Sequence, residues 1–192
     1  MTALVVAMVG TDHHPFDRLI TWMDDLAFRL GPDVHVVVQH GASTAPLVAE
    51  GHAFLSQHEL AELLSRADAV VCHGGPGTVM DARNAGHLPI CVARDPMRGE
   101  HVDGHQQRFV AMAGRTGLVA EARSRADLSR LVDWTLHDAP ASDASPPLGV
   151  TASGDTPAWA CQRLSGELDL LWGSRPTRRS SVGRFLGSRV LR

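Results

Sequence analysis

Lysine and tyrosine are absent from this 192-residue chain, aromatic residues make up only 5% of it, and all 18 of its Lys+Arg positions are arginine. Such an arginine-only, Ala-, Gly- and Val-rich composition reflects coding bias, which describes a genome and not a function. Long apolar runs are also missing. The longest are strand-sized, well short of the roughly 20 residues a membrane helix needs, so no transmembrane segment is expected. Met1-Thr2-Ala3 enters a strand pattern with no basic region before it, so no signal peptide is expected and the chain reads as cytoplasmic. Cysteine is scarce: Cys72, Cys91 and Cys161 have no paired or metal-type spacing and fit reduced, mostly buried thiols. The net charge of −3 hides a division, because residues 174–192 carry six arginines and no acid, leaving twelve arginines against 21 acids elsewhere. An acidic body argues against nucleic-acid binding, while the basic tail suits an acidic surface.

With 44% hydrophobic residues over this length, the chain can bury one substantial core but not two full domains. The stretch from Val70 to Asp81 organises that core. An apolar β-type segment, Val70-Val71-Cys72, runs through His73-Gly74-Gly75-Pro76-Gly77-Thr78 into a helical pattern. Glycines permit positive φ and close backbone approach, and a helix that starts behind them aims free N–H groups at the loop. The two readings are an anion site, with phosphate the commonest guest, and a plain strand-turn-helix corner.

In chain order, Ala3 to Val9 is a continuous apolar run of the kind found in a strand covered on both faces. Pro15 suits a first helical position, and Phe16, Leu19, Ile20, Met23, Leu26, Ala27 and Leu30 repeat at helical spacing until Gly31. Val34 to Val38 predicts a second strand, residues 41–50 a loop, and Ala53-Phe54-Leu55 a short extended piece. Ser56 and Glu59 form a capping box for a helix to about Ala67. After the central loop and its helix, Leu88 to Val92 predicts a strand, residues 93–103 a long charged loop and residues 104–114 a helix. Gly117 to Ala120 predicts a strand, and a last helix ends near His137. Alternating strands and helices imply a doubly wound, Rossmann-like parallel α/β sheet, in which the loops at Gly10-Thr11, at residues 73–78 and at 94–103 gather on one edge. The expected organisation is a domain over 1–138, a Pro/Ser/Ala/Gly linker over 139–157, and a helix with an arginine-rich tail over 158–192. The apolar stripe Trp159, Leu164, Leu168, Leu171 and Trp172 either packs back on the core or serves as a docking element.

Several chemistries are disfavoured. A metal site at His101 and His105 lacks the adjacent Glu of the zinc protease motif and a third ligand at fixed spacing. No Ser sits in a nucleophile elbow, and Cys72 lies within an apolar strand. Gly10-Thr11 lacks the glycines of the dinucleotide fingerprint. A nucleotide-diphosphate site in the second half of the sheet remains.

Gly10-Thr11 followed by Phe16-Asp17-Arg18-Leu19, then residues 73–78 with Asp81 and Ala85-Gly86, then Pro89, then Gly99-Glu100-His101-Val102-Asp103-Gly104-His105-Gln106, resemble the C-terminal, nucleotide-sugar-binding half of GT-B glycosyltransferases over roughly residues 3–136. Specific in combination, these motifs are most similar to the short Alg13-like and PssE/EpsF-like subunits, related to the MurG C-terminal domain. The resemblance implies inverting hexosyl or N-acetylhexosaminyl transfer from a UDP-sugar, with no cofactor and no obligatory metal. It implies donor contacts at Gly10, Thr11, His73, Gly74, Gly75, Gly77, Thr78, Asp81, Glu100, His101, Asp103, His105 and Gln106. At position 81 many relatives carry Glu where this chain has Asp. No stretch is long enough to supply the acceptor-binding half. The resemblance therefore implies a membrane-anchored partner of the Alg14 or PssD type, a lipid-linked acceptor in polysaccharide or glycolipid assembly, and a catalytic base on the partner. His13 and His14 are the candidate bases on this chain. Location at the inner membrane face follows from the partner, with peripheral contact through the arginine tail. A stand-alone nucleotide-sugar-binding module without transferase activity is the alternative.

Overall fold

The computed structural model describes residues 2–137. The linker expected over 139–157, the helix and arginine tail expected over 158–192, and Cys161 lie outside the described residues. Six strands, β1 (Ala3–Met8), β2 (Val34–Gln39), β3 (Glu50–His52), β4 (Ala69–Cys72), β5 (Ile90–Cys91) and β6 (Ala120–Glu121), form one sheet in the order β3-β2-β1-β4-β5-β6. Every pairing is parallel. This is the doubly wound order, whose direction of winding reverses between β1 and β4.

Five α-helices, α1 (Asp17–Leu30), α2 (Gln57–Arg66), α3 (Pro76–Asn84), α4 (His105–Arg115) and α5 (Arg125–His137), cover the sheet. The apolar strands alternate between two cores. Val5, Ala7, Val36, Val38, Ala69, Val71 and Ile90 pack with Leu19, Ile20, Met23 and Leu26 of α1 and Leu128, Leu131 and Val132 of α5. Val6, Met8, Val37, Val70, Cys72 and Cys91 are equally buried but lie outside that cluster, as do Leu64 of α2, Val79 of α3 and Phe109 and Val110 of α4. Two-sided burial is why β1 and β4 read as unbroken apolar runs instead of alternating ones. Right-handed crossovers require it too, since connections that travel in opposite directions from β1 must lie on opposite faces.

Differences from the sequence reading are local. Pro15 does not open α1; Phe16 caps it and its N–H donates to Ser43 Oγ at 2.7 Å. The extended piece expected at residues 53–55 forms three residues earlier, as β3. Glu50 and His52 sit there on an edge strand whose sequence is too polar to signal pairing. The capping box is as expected, with Glu59 N–H donating to Ser56 Oγ and Ser56 N–H to Glu59. The strands after α3 and α4 are shorter than their apolar runs, two residues each. Cys72 and Cys91 are buried and free, as expected, but they are register partners on β4 and β5 with their sulfurs 3.1 Å apart. Adjacency across parallel strands leaves no signature in sequence spacing.

Candidate functional site

Loops that follow β1 and β4 meet at the switch point, where doubly wound sheets leave a crevice. A cavity of about 520 Å³ opens there, lined by Gly10, Thr11 and Asp12 after β1 and by His73, Gly75, Pro76, Gly77, Thr78 and Asp81 around the start of α3. Met8, Gln39, Phe54, Leu55, Leu60 and Gln106 complete the wall. Its size suits a drug-sized or nucleotide-sized ligand.

His73 is wedged between glycines. Its backbone N–H donates to Met8 O at 3.1 Å, extending the β1–β4 pairing. A Cβ on Gly10 would stand 2.6 Å from its Cε1, and one on Gly75 2.3 Å from its Nε2. Gly74, at φ +80°, backs onto Val110 of α4, where a Cβ would meet Cγ2 at 2.2 Å. Part of the glycine signal is therefore packing around an imidazole and a valine. Burial first, and the Arg94 charge second, bring the His73 pKa down to about 4, so the ring is neutral at pH 7. Its Nδ1 is buried without a hydrogen-bond partner.

Helix α3 starts at Pro76, which has no N–H, and the first ladder bond is Val79 N–H to Gly75 O at 3.1 Å. The Gly77 and Thr78 N–H groups precede it and have no acceptor within the helix, and both residues line the cavity. Nothing lies within 4 Å of a Cβ placed on Gly77, so that side of the loop is open. The Thr78 hydroxyl donates to Gly75 O at 2.9 Å and so serves its own turn. Asp81, one turn into α3, is exposed at the cavity wall. Gln106, second residue of α4, is buried against the cavity with its Oε1 unpartnered.

The remaining residues singled out by the resemblance lie beside the cavity and not on its wall. Glu100 is buried with both carboxylate oxygens engaged: Arg18 Nε donates to Oε1 at 2.8 Å, and Arg18 Nη2 and the Asp95 N–H donate to Oε2 at 2.8 and 2.7 Å. Arg94, only 1% exposed, donates from its two Nη atoms to the carbonyls of His14, Glu100 and Val9 and stacks 5.0 Å from the Phe16 ring. Arg94 fastens the loop after β5 to the loop after β1, and Arg18 fastens it to the start of α1. Asp103 lies two residues before α4 begins, its Oδ1 accepting from the His105 N–H at 2.8 Å and lying 2.5 Å from His105 Nδ1.

Asp12 is a hub that the sequence reading did not single out. Its Oδ1 lies 2.6 Å from His14 Nδ1 and 3.4 Å from His13 Nδ1, and its Oδ2 lies 3.2 Å from His101 Nε2. Burial would raise the Asp12 carboxyl, but the His14 N–H, the His14 ring and the charges of His14 and His101 outweigh it and hold the group at about 2. Burial and then the neighbouring His105 lower His101, against the pull of Asp12 and Asp103. The His101 ring stands 5.8 Å from that of His14 and 4.6 Å, edge-on, from that of His105. The candidate bases thus belong to a histidine row at the rim, with His14 oriented by a carboxylate and His13 85% exposed. Gln39, whose Nε2 reaches Gly10 O and Ala53 O at 3.4 and 3.3 Å, and the apolar wall of Phe54, Leu55 and Leu60 also went unread in the sequence. Position at or just after a strand is the sole signal for Gln39, Phe54 and Leu55, and Leu60, on α2, carries none.

The profile of the glycosyltransferase family 28 C-terminal domain matches residues 4–145, and the chain belongs to this family. Among solved structures, the glycotransferase of kitacinnamycin is 19% identical, with 86% of this chain and 38% of that chain covered at a TM-score of 0.52. CalG4, the calicheamicin glycosyltransferase, is 19% identical, with 71% and 35% covered at a TM-score of 0.53. At such identities the likeness is one of fold, and it bears out the resemblance to the GT-B glycosyltransferases. The chain spans little more than a third of the length of these structures. No curated protein matches it.

Proposed function

We propose that the cavity at the β1–β4 switch point binds the nucleoside diphosphate of a UDP-sugar, and that the chain is the donor half of an inverting glycosyltransferase. The observation that carries this reading is the start of α3: two amides without helical acceptors open onto a cavity beside a neutral imidazole and a glycine loop. Departure of UDP develops negative charge on the diphosphate, and fixed dipoles aimed at that charge stabilise it without reorganisation. The Gly77 and Thr78 N–H groups and the positive end of α3 take the part that a divalent cation plays elsewhere. Neutral His73 keeps one N–H to give to a phosphate oxygen. Asp81 is placed to accept hydrogen bonds from ribose hydroxyls, the Phe54, Leu55 and Leu60 wall offers an apolar face to the base, and Gln106 points an amide at the sugar end.

A donor half needs an acceptor half. In this reading a partner brings the acceptor site and the base; a membrane-anchored partner and a lipid-linked acceptor are what the likeness to short two-protein transferase subunits implies. No helix among the described residues is long and apolar enough to cross a membrane.

Calorimetry tests the donor reading. UDP without added metal should bind more tightly than NAD, and Asp81→Ala should weaken UDP by about 1.5–3 kcal/mol, the range for a hydrogen bond to a charged group. Absence of heat with UDP at millimolar concentration, on folded protein, would sink it.

A further inference from the structure

The histidine row is chemistry that the donor reading leaves unused. Asp12, His13 and His14 each offer a ligand atom, and the three atoms lie within 4.8 Å of one another. A second element meets them, because His101, on the loop before α4, directs Nε2 to within 3.2 Å of Asp12 Oδ2. A tetrahedral zinc site with Zn–N near 2.0–2.1 Å places neighbouring donor atoms about 3.3–3.4 Å apart. His13 Nδ1 stands 3.4 Å from Asp12 Oδ1 and His101 Nε2 3.2 Å from Asp12 Oδ2, so the carboxylate meets these spacings through its two oxygens, while His14 Nδ1, hydrogen-bonded to Oδ1 at 2.6 Å, has to open by roughly 0.7–0.8 Å to coordinate. We propose that Asp12, His13, His14 and His101 form a four-coordinate site for a divalent transition-metal ion of the zinc class, bridging the loop after β1 and the loop after β5 at the rim of the cavity.

The donor set selects the class of ion. Three imidazoles and one carboxylate suit zinc, cobalt, nickel or copper, whereas magnesium and calcium want oxygen. Imidazole binds a metal only when neutral, so loading should strengthen as pH rises. Arg94 opposes a cation here, since its guanidinium sits behind the site on the His14 carbonyl at 2.6 Å. The ionised Asp12 carboxylate offsets that charge, and coordinate bonds to nitrogen exceed what is left. This ion would not be the counter-charge of the diphosphate: it grips imidazoles on the rim, while the cavity side of α3 retains its amides. Its effect is to tie two loops that Arg94 already holds close. Asp12 also lines the cavity, yet these four side chains would hold the ion whatever the cavity binds.

Two neighbouring groups provide internal controls. His101, Asp103 and His105 also bring their ligand atoms within 4.8 Å of one another. At the β3 edge of the sheet, His35 Nε2 and His52 Nε2 flank Glu50 at 2.8 and 2.7 Å. All eleven histidines of the chain lie within residues 2–137.

The test is titration of the full chain, free of any histidine tag and stripped with chelator, with Co²⁺ followed by displacement with Zn²⁺. One equivalent of Co²⁺ should produce the intense visible bands of a four-coordinate centre, Zn²⁺ should abolish them, and Zn²⁺ should raise the unfolding temperature. His14→Ala and His101→Ala should each weaken binding at least tenfold. Asp12→Asn, which keeps the side chain's shape and its acceptor for the His14 N–H, should do the same should either alanine variant fail to fold. Asp103→Asn and the double variant His35→Ala/His52→Ala should bind as the parent does. Weak six-coordinate spectra, undiminished binding in His101→Ala, or loss confined to Asp103→Asn would each overturn the proposal.

Discussion

Glu100→Gln separates a structural carboxylate from a ligand-binding one. In the folded chain three donors converge on Glu100: two N–H groups of Arg18 and the Asp95 amide. Glutamine keeps the shape but offers one acceptor oxygen, and its amide would turn two N–H donors toward donors already there. The pair is well shielded, with side-chain exposure of 17% for Arg18 and 6% for Glu100. Breaking a buried ion pair from one side costs about 3–5 kcal/mol. Arg18 retains the Ala93 carbonyl at 2.9 Å and its stacking near Phe16 and Trp22, which puts the loss near the low end, about 3 kcal/mol. For a domain of this size each kcal/mol moves the midpoint by roughly 3–5 °C, so thermal unfolding should fall by about 10 °C. UDP affinity, measured by calorimetry well below that midpoint, should change less than threefold. A midpoint within a degree of the parent, combined with a tenfold loss of UDP affinity, would refute the reasoning and return Glu100 to the donor site.

Acid sensitivity should centre on His73. Its folded pKa, about 4, lies below the unfolded value of 6.5, so between those values the unfolded chain binds the extra proton. Stability is therefore complete above pH 6.5 and falls by about 3 kcal/mol on acidification to pH 4, a slope that urea unfolding of His73→Gln should show flattened. His101, depressed in the same direction, adds to the slope that survives in that variant. Gly74→Ala combines a left-handed backbone, φ +80°, with a Cβ 2.2 Å from Val110, so a loss of at least about 2 kcal/mol is expected, partly recovered in Gly74→Ala/Val110→Ala. No recovery in the double variant would assign the whole cost to the backbone. Removal of residues 174–192, with their six arginines, should leave UDP binding intact and weaken co-sedimentation with anionic vesicles, each arginine contributing about 1 kcal/mol near such a surface. Equal co-sedimentation of the truncated chain would dismiss the tail as a membrane contact.

What could be read from the sequence was whatever is written locally. The apolar runs of β1 and β4, the helical spacing of α1, the Ser56–Glu59 box and the glycines before α3 each carry their signal within a dozen residues. The order of the strands, the partnership of Cys72 with Cys91 and the hub at Asp12 depend on segments tens of residues apart, and no periodicity records them. Glu100 shows a different limit. A motif places a residue type beside a site, but whether a carboxylate faces ligand or arginine depends on Arg18, the second residue of a distant helix. β3 was misplaced because an edge strand of Glu, Gly and His has little apolar face to display.

Two adjacent glycines in the loop after β4 hold their places for unlike reasons. Gly74 needs its identity for its backbone, and no exchange of neighbours removes that. Gly75 has an ordinary φ of −72°, so the sole bar to a side chain there is the imidazole of His73 at 2.3 Å. Its glycine is thus conditional. In a lineage or a selection experiment in which His73 first gives way to a small residue, position 75 becomes free to drift, and once it has drifted the histidine cannot return. The loop therefore has a ratchet: the order in which substitutions arrive, and not their sum, decides whether the original site can be recovered.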